Sequence, residues 1–271
     1  MSNLILYPSG KRHIRSKLTS VICAITDDRR LPFREPFLGG GVMTLHMLQF
    51  NRTDKMWLND VDGPLVAFWR SVIEHPYRLI EMVDTFTPTP EAFHEAKRRC
   101  LHHRGDVPDD PVTLGFEKLV AHRLSHSGRG VQSGSCRGGN HQNGNCTIDG
   151  RWSPWDIRRQ VPNTSRQMNR LKELRCTNVD FATLIEDESE PCILFLDPPY
   201  RGEGGGTYQH SFKKEDHERL AALLQKTKHP WVLTYGNDQE IRRLYEWTKI
   251  ETVHMESGLT KKYRTDLIIT R

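Results

Sequence analysis

Asp197-Pro198-Pro199-Tyr200 follows the apolar run Pro191-Cys192-Ile193-Leu194-Phe195-Leu196. Such a run, short, rich in large or branched side chains and bounded by turn residues, reads as a buried strand of a parallel sheet. The carboxylate, two prolines and aromatic ring then stand just past its carboxyl end, where open α/β sheets bind ligands. Two prolines fix two φ angles and remove two backbone donors. Acceptors remain, the Asp197 carboxylate and the Pro198 carbonyl, with Pro199 stiffening the turn and Tyr200 offering a π-face. An acceptor pair beside a ring suits the holding of a planar amino group. An isolated strand end with a proline turn, Asp197 satisfying local backbone, is the plainer account of these four residues alone.

Other positions point to the same edge. Glu35-Pro36-Phe37-Leu38-Gly39-Gly40-Gly41 has the form of a strand-to-helix turn. Glycines there let the backbone approach a ligand and leave helix N–H groups free. Asp60 ends a second short strand, 19 residues beyond Gly41, and a carboxylate so placed accepts both hydroxyls of a ribose. The pair indicates a nucleoside-containing cofactor and fits a nicotinamide dinucleotide nearly as well; a tight turn plus a surface Asp is the bland reading. Tyr7-Pro8-Ser9-Gly10-Lys11 precedes the first strand, with a ring and a cation able to close over a cofactor. Asn178-Val179-Asp180-Phe181 would bring a second acid and ring to the edge that holds Asp197, or be an ordinary strand end.

The elements that must position these residues alternate. Strands are expected at 31–37, 55–58, 177–181, 191–196, 231–235, 250–255 and 263–270, with helices at 42–50, 64–74, 215–226 and 239–247. Strand–helix alternation at both ends indicates an α/β, doubly wound sheet. From about Tyr77 to His126 the pattern is helical, residues 127–150 hold seven glycines, and 166–175 returns to helix. The expected organisation is a sheet domain from 1–76 and 171–271, interrupted by an inserted domain at 77–170.

At 271 residues the chain can bury a full core. No apolar run approaches the ~18–20 residues of a membrane span, and Met1-Ser2-Asn3-Leu4 lacks a signal-peptide core, so a cytoplasmic place and no membrane partner are expected. Six cysteines without a Cys-x-x-Cys pair suggest reduced thiols. Net charge is +5, but residues 94–175 hold 15 Lys/Arg against 8 Asp/Glu. One continuous stretch therefore carries more than the whole net charge, a footprint that suits a polyanion; a solvated set of helices would also account for it.

In this order the pieces resemble a known family, the Dam-type, group-alpha DNA adenine-N6 methyltransferases. Tyr7…Lys11, Glu35-Pro36-Phe37-x-Gly39-x-Gly41, Asn59-Asp60, a variable insert, Asp180-Phe181, Asp197-Pro198-Pro199-Tyr200, and Phe212 with Asp216-His217 carry the resemblance over most of the chain. It implies a Rossmann-like methyltransferase sheet, S-adenosylmethionine as cofactor and double-stranded DNA as partner. It further implies that Tyr7 and Lys11 contact the methionine part, that Glu35, Pro36, Phe37, Gly39 and Gly41 line the cofactor site, that Asp60 holds the ribose, and that Asp180 and Phe181 border its adenine. The insert would carry target recognition; its sequence matches no recognition motif. A nucleophile of low pKa or a metal is not required. The lone pair of an exocyclic amino nitrogen is delocalised, and accepting both its hydrogens at Asp197 and the Pro198 carbonyl would favour pyramidal nitrogen. An adenine inside a duplex cannot reach such depth, so the base would be flipped, with Tyr200 as its stacking surface.

Within the insert, Arg123, Arg129, Arg137 and Arg151 stand with Gln132, Asn140, Gln142 and Asn143. These side chains bond bidentately to purine edges, and a loop entering a groove is the functional reading against a disordered linker. His122 and His126 have a usable spacing for zinc, but Cys136 and Cys146 stand ten apart, so no metal is expected. Trp152 and Trp155 read as packing residues. Alternatives are transfer to another planar amino group (cytosine-N4, an RNA base or a glutamine amide), a nicotinamide dehydrogenase, which leaves Asp197–Tyr200 unexplained, and a non-catalytic DNA-binding module, which would not need the acid of Asp197. No obligatory protein partner is visible.

Overall fold

The computed structural model describes residues 4–5, 11–103, 105, 107–126, 128–200, 212–256 and 263–271. Helix α1 (Arg15–Ile25) precedes strand β1 (Phe33–Glu35), α2 (Val42–Gln49), β2 (Lys55–Asn59) and α3 (Gly63–Glu74). Helices α4 (Pro76–Thr85), α5 (Pro90–His102), α6 (Val112–Leu124) and α7 (Pro154–Met168) follow before the sheet resumes. It continues with β3 (Glu173–Thr177), α8 (Phe181–Glu186), β4 (Ile193–Leu196), α9 (Lys214–Lys226), β5 (Trp231–Gly236), α10 (Gln239–Leu244), β6 (Lys249–Glu256) and β7 (Tyr263–Thr270). Several helices start by one device, a short polar cap followed by proline. Asp62, Thr89 and Ser153 each accept a backbone N–H of the first turn, and a proline then fills a position whose own N–H would lack a partner.

The strand order is β3-β2-β1-β4-β5-β7-β6. The pairs from β3 to β5 are parallel, and β7 runs antiparallel to both its neighbours. The direction of winding reverses between β1 and β4, so the carboxyl ends of those two strands frame the crevice of a doubly wound sheet. β4 is buried at all four residues, as a central parallel strand covered on both faces must be. No described helix is long and apolar enough to cross a membrane.

Several boundaries differ from the sequence expectation, and α1 and α8 stand where no element was expected. The strand expected at 177–181 lies at Glu173–Thr177, and the helix expected at 166–175 ends at Met168. β3 is an edge strand with no buried residue. Its identity comes from pairing Lys55↔Glu173 through Asn59↔Thr177 with β2, a long-range signal without a local apolar run.

The inserted helices do not form a separate core. Phe93, Leu119, Val120, Ile157 and Trp152 belong to the same apolar cluster as Phe33, Met56 and Leu65 of the sheet layer. α6 lies directly on α3: a Cβ at Gly115 would stand 2.5 Å from Ser71 Oγ and 2.7 Å from the Ala67 carbonyl. Farther along, Lys118 reaches Asp62, at the carboxyl edge of the sheet. The two helices are therefore antiparallel, and the six residues from Lys118 to Leu124, at 1.5 Å each, carry the chain roughly 9 Å beyond that edge. α7 then returns toward the far end of α3, where Ser165 Oγ and Asn169 Nδ2 donate to the Ile73 carbonyl. The segment joining α6 to α7 thus sits on the side where β1 and β4 end.

Candidate active site

The glycine turn after β1 is shaped by two left-handed residues, Gly39 (φ 48°) and Gly41 (φ 63°), a conformation that side-chain-bearing residues rarely adopt. Gly41 also lies on Trp69, where a Cβ would stand 2.7 Å from the indole ring, and Trp69 Nε1 donates to the Gly39 carbonyl at 3.0 Å. Asn59 ties three chain ends together. Its Nδ2 donates to the carbonyls of Pro36 and Val179, and its Oδ1 accepts from Val179 N and Thr177 Oγ1. Asp60 Oδ2 accepts the Gly39 N–H at 2.9 Å and Oδ1 that of Asp62 at 3.0 Å. Burial, then the neighbouring Asp62 charge, raises the Asp60 carboxyl to about 6 against those hydrogen bonds. Glu35 lies deeper, buried against Thr44, which donates from its backbone N–H and hydroxyl. Burial raises it to about 8, opposed by Thr44 and aided by the charges of Asp197 and Asp60.

Asp197 faces these acids from the end of β4. Its Oδ1 accepts from Thr234 Oγ1 at 2.7 Å and pairs with Lys11 Nζ at 3.0 Å; the described contacts leave Oδ2 open. Lys11, buried, also meets Asp266 Oδ2 at 3.3 Å and donates to the Tyr200 hydroxyl. That hydroxyl donates in turn to Asp266 Oδ2 at 3.0 Å. Tyr200 departs from the expectation of an open stacking face. It is buried, its ring packs against Tyr235 (centroids 5.8 Å apart) and it lies within van der Waals reach of Gly236. Pro198 is buried and Pro199 borders the cavity. Tyr7 lies outside the described residues.

Three phenyl rings close one side. Phe37, Phe181 and Phe212 stand with centroids 5.5 Å apart in every pairing. Asp180 caps α8 through Ala182 N at 2.9 Å, and Arg219 grips both its oxygens while lying over the Phe181 ring. Burial acts upward on Asp180, but Arg219 and the Ala182 N–H together outweigh it and hold the carboxyl below its usual range. Lys11, Glu35, the 36–41 turn, Asp60, Asp180, Phe181, Asp197 and Pro199 all line one cavity of about 260 Å³. Sequence reasoning missed Thr234, Asp266 and Arg219. Each lies far along the chain from its partner, with no local pattern to mark it.

In the insert, Ser125 and Cys136 form an antiparallel bridge, and Val131, Cys136 and Ile148 are buried, so the described part of 127–150 is a built loop and not a linker. Gln142 organises it, donating to the carbonyls of Arg137 and Gly139 and accepting from Ile148 N; this employs the side chain that was expected to read bases. Arg123 is a correction too. It is buried at the end of α6, with its Nε donating to the Leu4 carbonyl at 3.1 Å, and burial lowers its pKa; it braces the loop. Arg129, Asn140 and Asn143 are exposed, and Gln132, Arg137 and Arg151 half-buried. Arg137 and Arg151 are partly spent on the Thr147 and Ser125 carbonyls, and Asn140 contacts His94. Trp152 packs with Phe86 and Phe116, but Trp155, expected to pack, is 69% exposed.

This sheet order, with its antiparallel β7 and a ligand-sized cavity at the β1/β4 switch, defines a Rossmann-like methyltransferase fold. The family of D12 class N6 adenine-specific DNA methyltransferases matches residues 10–258, and the chain belongs to it. The Type II methyltransferase M.CviBI of Paramecium bursaria Chlorella virus NC1A is 26% identical over 238 residues, 87% of this chain and 82% of that one. The DNA N-6-adenine-methyltransferase of Escherichia phage P1 is 29% identical over 224 residues, 78% of this chain but only 27% of the longer phage protein. The chain is an adenine-specific DNA methyltransferase.

Proposed function

We propose that S-adenosylmethionine occupies the cavity under the glycine turn and that a flipped adenine of duplex DNA enters beside Asp197. The observation that carries this reading is the convergence of Gly39–Gly41, Asp60 and Asp197 on one cavity of about 260 Å³ at the sheet's switch point. The cavity suits a nucleoside bearing a cation. Asp60 uses one acceptor direction of each oxygen on backbone N–H groups, and each carboxylate oxygen keeps another for a ribose hydroxyl. The three phenyl rings offer an apolar wall for a purine, and Glu35 and Asp197 place acidic groups along the remainder. When bound, the cofactor supplies an electrophilic methyl group.

The chain's own residues do the rest. Asp197 Oδ2 and the Pro198 carbonyl accept the two amino hydrogens of the adenine, so that the nitrogen lone pair develops toward the cavity. Lys11 and Thr234 fix Asp197 through Oδ1 and leave Oδ2 for the substrate. Tyr200, held by Lys11 and Asp266, anchors the tetrapeptide. The loop beyond α6 stands on the same side as the cavity, and its exposed Arg129, Asn140 and Asn143, with the outer atoms of Gln132, Arg137 and Arg151, meet the DNA.

Transfer of labelled methyl from S-adenosylmethionine to duplex DNA, with sequencing that reads modified adenines, tests this. Asp197→Ala should lower the rate by at least about a hundredfold, the scale of losing one preorganised transition-state contact, with DNA affinity nearly unchanged. Near-wild-type turnover in that variant would falsify the assignment.

A further inference from the structure

We propose that Lys118, carried on the inserted helix α6, is a positioning residue of the cofactor pocket, holding the Asp60–Asp62 turn in the form that receives a ribose. Lys118 is 1% exposed, and its Nζ stands 2.5 Å from Asp62 Oδ2. Nothing in the transfer chemistry uses it. Asp62 in turn does two things. Its Oδ1 accepts Leu65 N and caps α3, and its own N–H donates to Asp60 Oδ1. The cation of the insert is thus two contacts from the carboxylate assigned to the ribose.

Charge gives the arrangement its consequence. Two carboxylates within one turn of chain, Asp62 buried and Asp60 half-buried at the cavity wall, repel each other. Burial and Asp62 raise Asp60 to about 6; the Asp62 and Gly39 N–H groups oppose them, and Lys118 adds the opposing positive charge. Among the described residues, the other titratable groups around this turn give no second counter-charge. Cys100 on α5 and Cys176 on β3 are pushed up to about 12 and stay neutral thiols, and Glu35 on β1 is an acid. A buried pair stripped of one partner leaves an uncompensated charge, so losing Lys118 places the acidic burden on Asp60. This rests on the reading of Asp60 as the ribose acceptor, and it makes the pocket complete only when the insert is docked.

The test follows the Asp60 carboxyl by carbon-13 NMR between pH 4 and 9 in the cofactor-free full chain, alongside calorimetric S-adenosylmethionine affinity over the pH range in which the protein stays folded. In Lys118→Met the Asp60 midpoint should rise by about one pH unit or more. Cofactor affinity should fall about threefold at pH 6.5, as that shift dictates, and recover toward pH 8.5. Adding Asp62→Asn to Lys118→Met removes the repelling charge and should bring the midpoint back down. A lower melting temperature in Lys118→Met with an unmoved Asp60 midpoint would mean that the pair only braces α6 on α3, and overturns the proposal. If that variant does not fold, Asp62→Asn alone, which keeps a capping side chain, should lower the midpoint, and an unchanged value overturns the proposal equally. A wild-type chain that fails to bind S-adenosylmethionine defeats the cofactor assignment instead, while the NMR midpoints still decide whether Lys118 governs Asp60.

Discussion

Glu35 is the residue whose setting most departs from that of an ordinary side chain. It sits beneath the cavity as an acid raised to about 8. An acid whose folded pKa exceeds its unfolded value contributes stability that is complete below the unfolded pKa, near 4.3. That contribution is lost as pH rises through the folded pKa. The cofactor-free protein should therefore lose stability between about pH 4.5 and 8 through this group. Glu35→Gln, which still accepts from Thr44, should flatten that part of the profile and be the more stable protein at pH 8. Urea unfolding of both chains at pH 5 and pH 8 checks this, and parallel losses in the two would remove Glu35 as the cause.

At the level of elements, the loop between α6 and α7 separates surface arginines from bracing ones. Arg129→Ala should flatten the log–log salt dependence of DNA affinity by about 0.9 if the guanidinium meets a phosphate, or relax sequence selectivity if it meets a base, without changing the melting temperature. Arg123→Ala should lower the melting temperature first, because a buried carbonyl partner at Leu4 loses its donor. Anisotropy titrations against salt, beside thermal melts, tell the two apart. The same contrast shows how far the sequence was legible. β4, β5, β6 and β7, with α9 and α10 between them, lie within a few residues of their expected places, because apolar runs are local signals. The glycine turn, Asp60 and Asp197 were legible as one edge because a parallel sheet puts its strand ends there. β3 was misplaced because pairing defines it. Arg123 and Gln142 read as DNA contacts in the sequence because composition does not say which polar side chains a loop spends on itself. Asp266 and Lys118, partners across 255 and 56 positions of chain, left no trace in local pattern.

For the whole molecule, the shared apolar cluster means that sheet and insert should unfold together. Leu119, fully buried in that cluster, offers the measure. Leu119→Ala should cost about 2–5 kcal/mol, with far-UV circular dichroism and tryptophan fluorescence giving coincident transitions in both chains. A variant whose two probes part would show an independently folding insert. The continuous core also sets where the molecule can be re-engineered for a new DNA target. Exchange of residues 77–170 as a block would tear out helices that share the apolar core and pack against α3. The seam lies at Ser125 and Arg151, where the Ser125–Cys136 bridge and the Arg151–Ser125 contact bring the loop's two stems together. If the loop reads the DNA as proposed, a chimera cut there would inherit another enzyme's reading head and keep its own catalytic chassis.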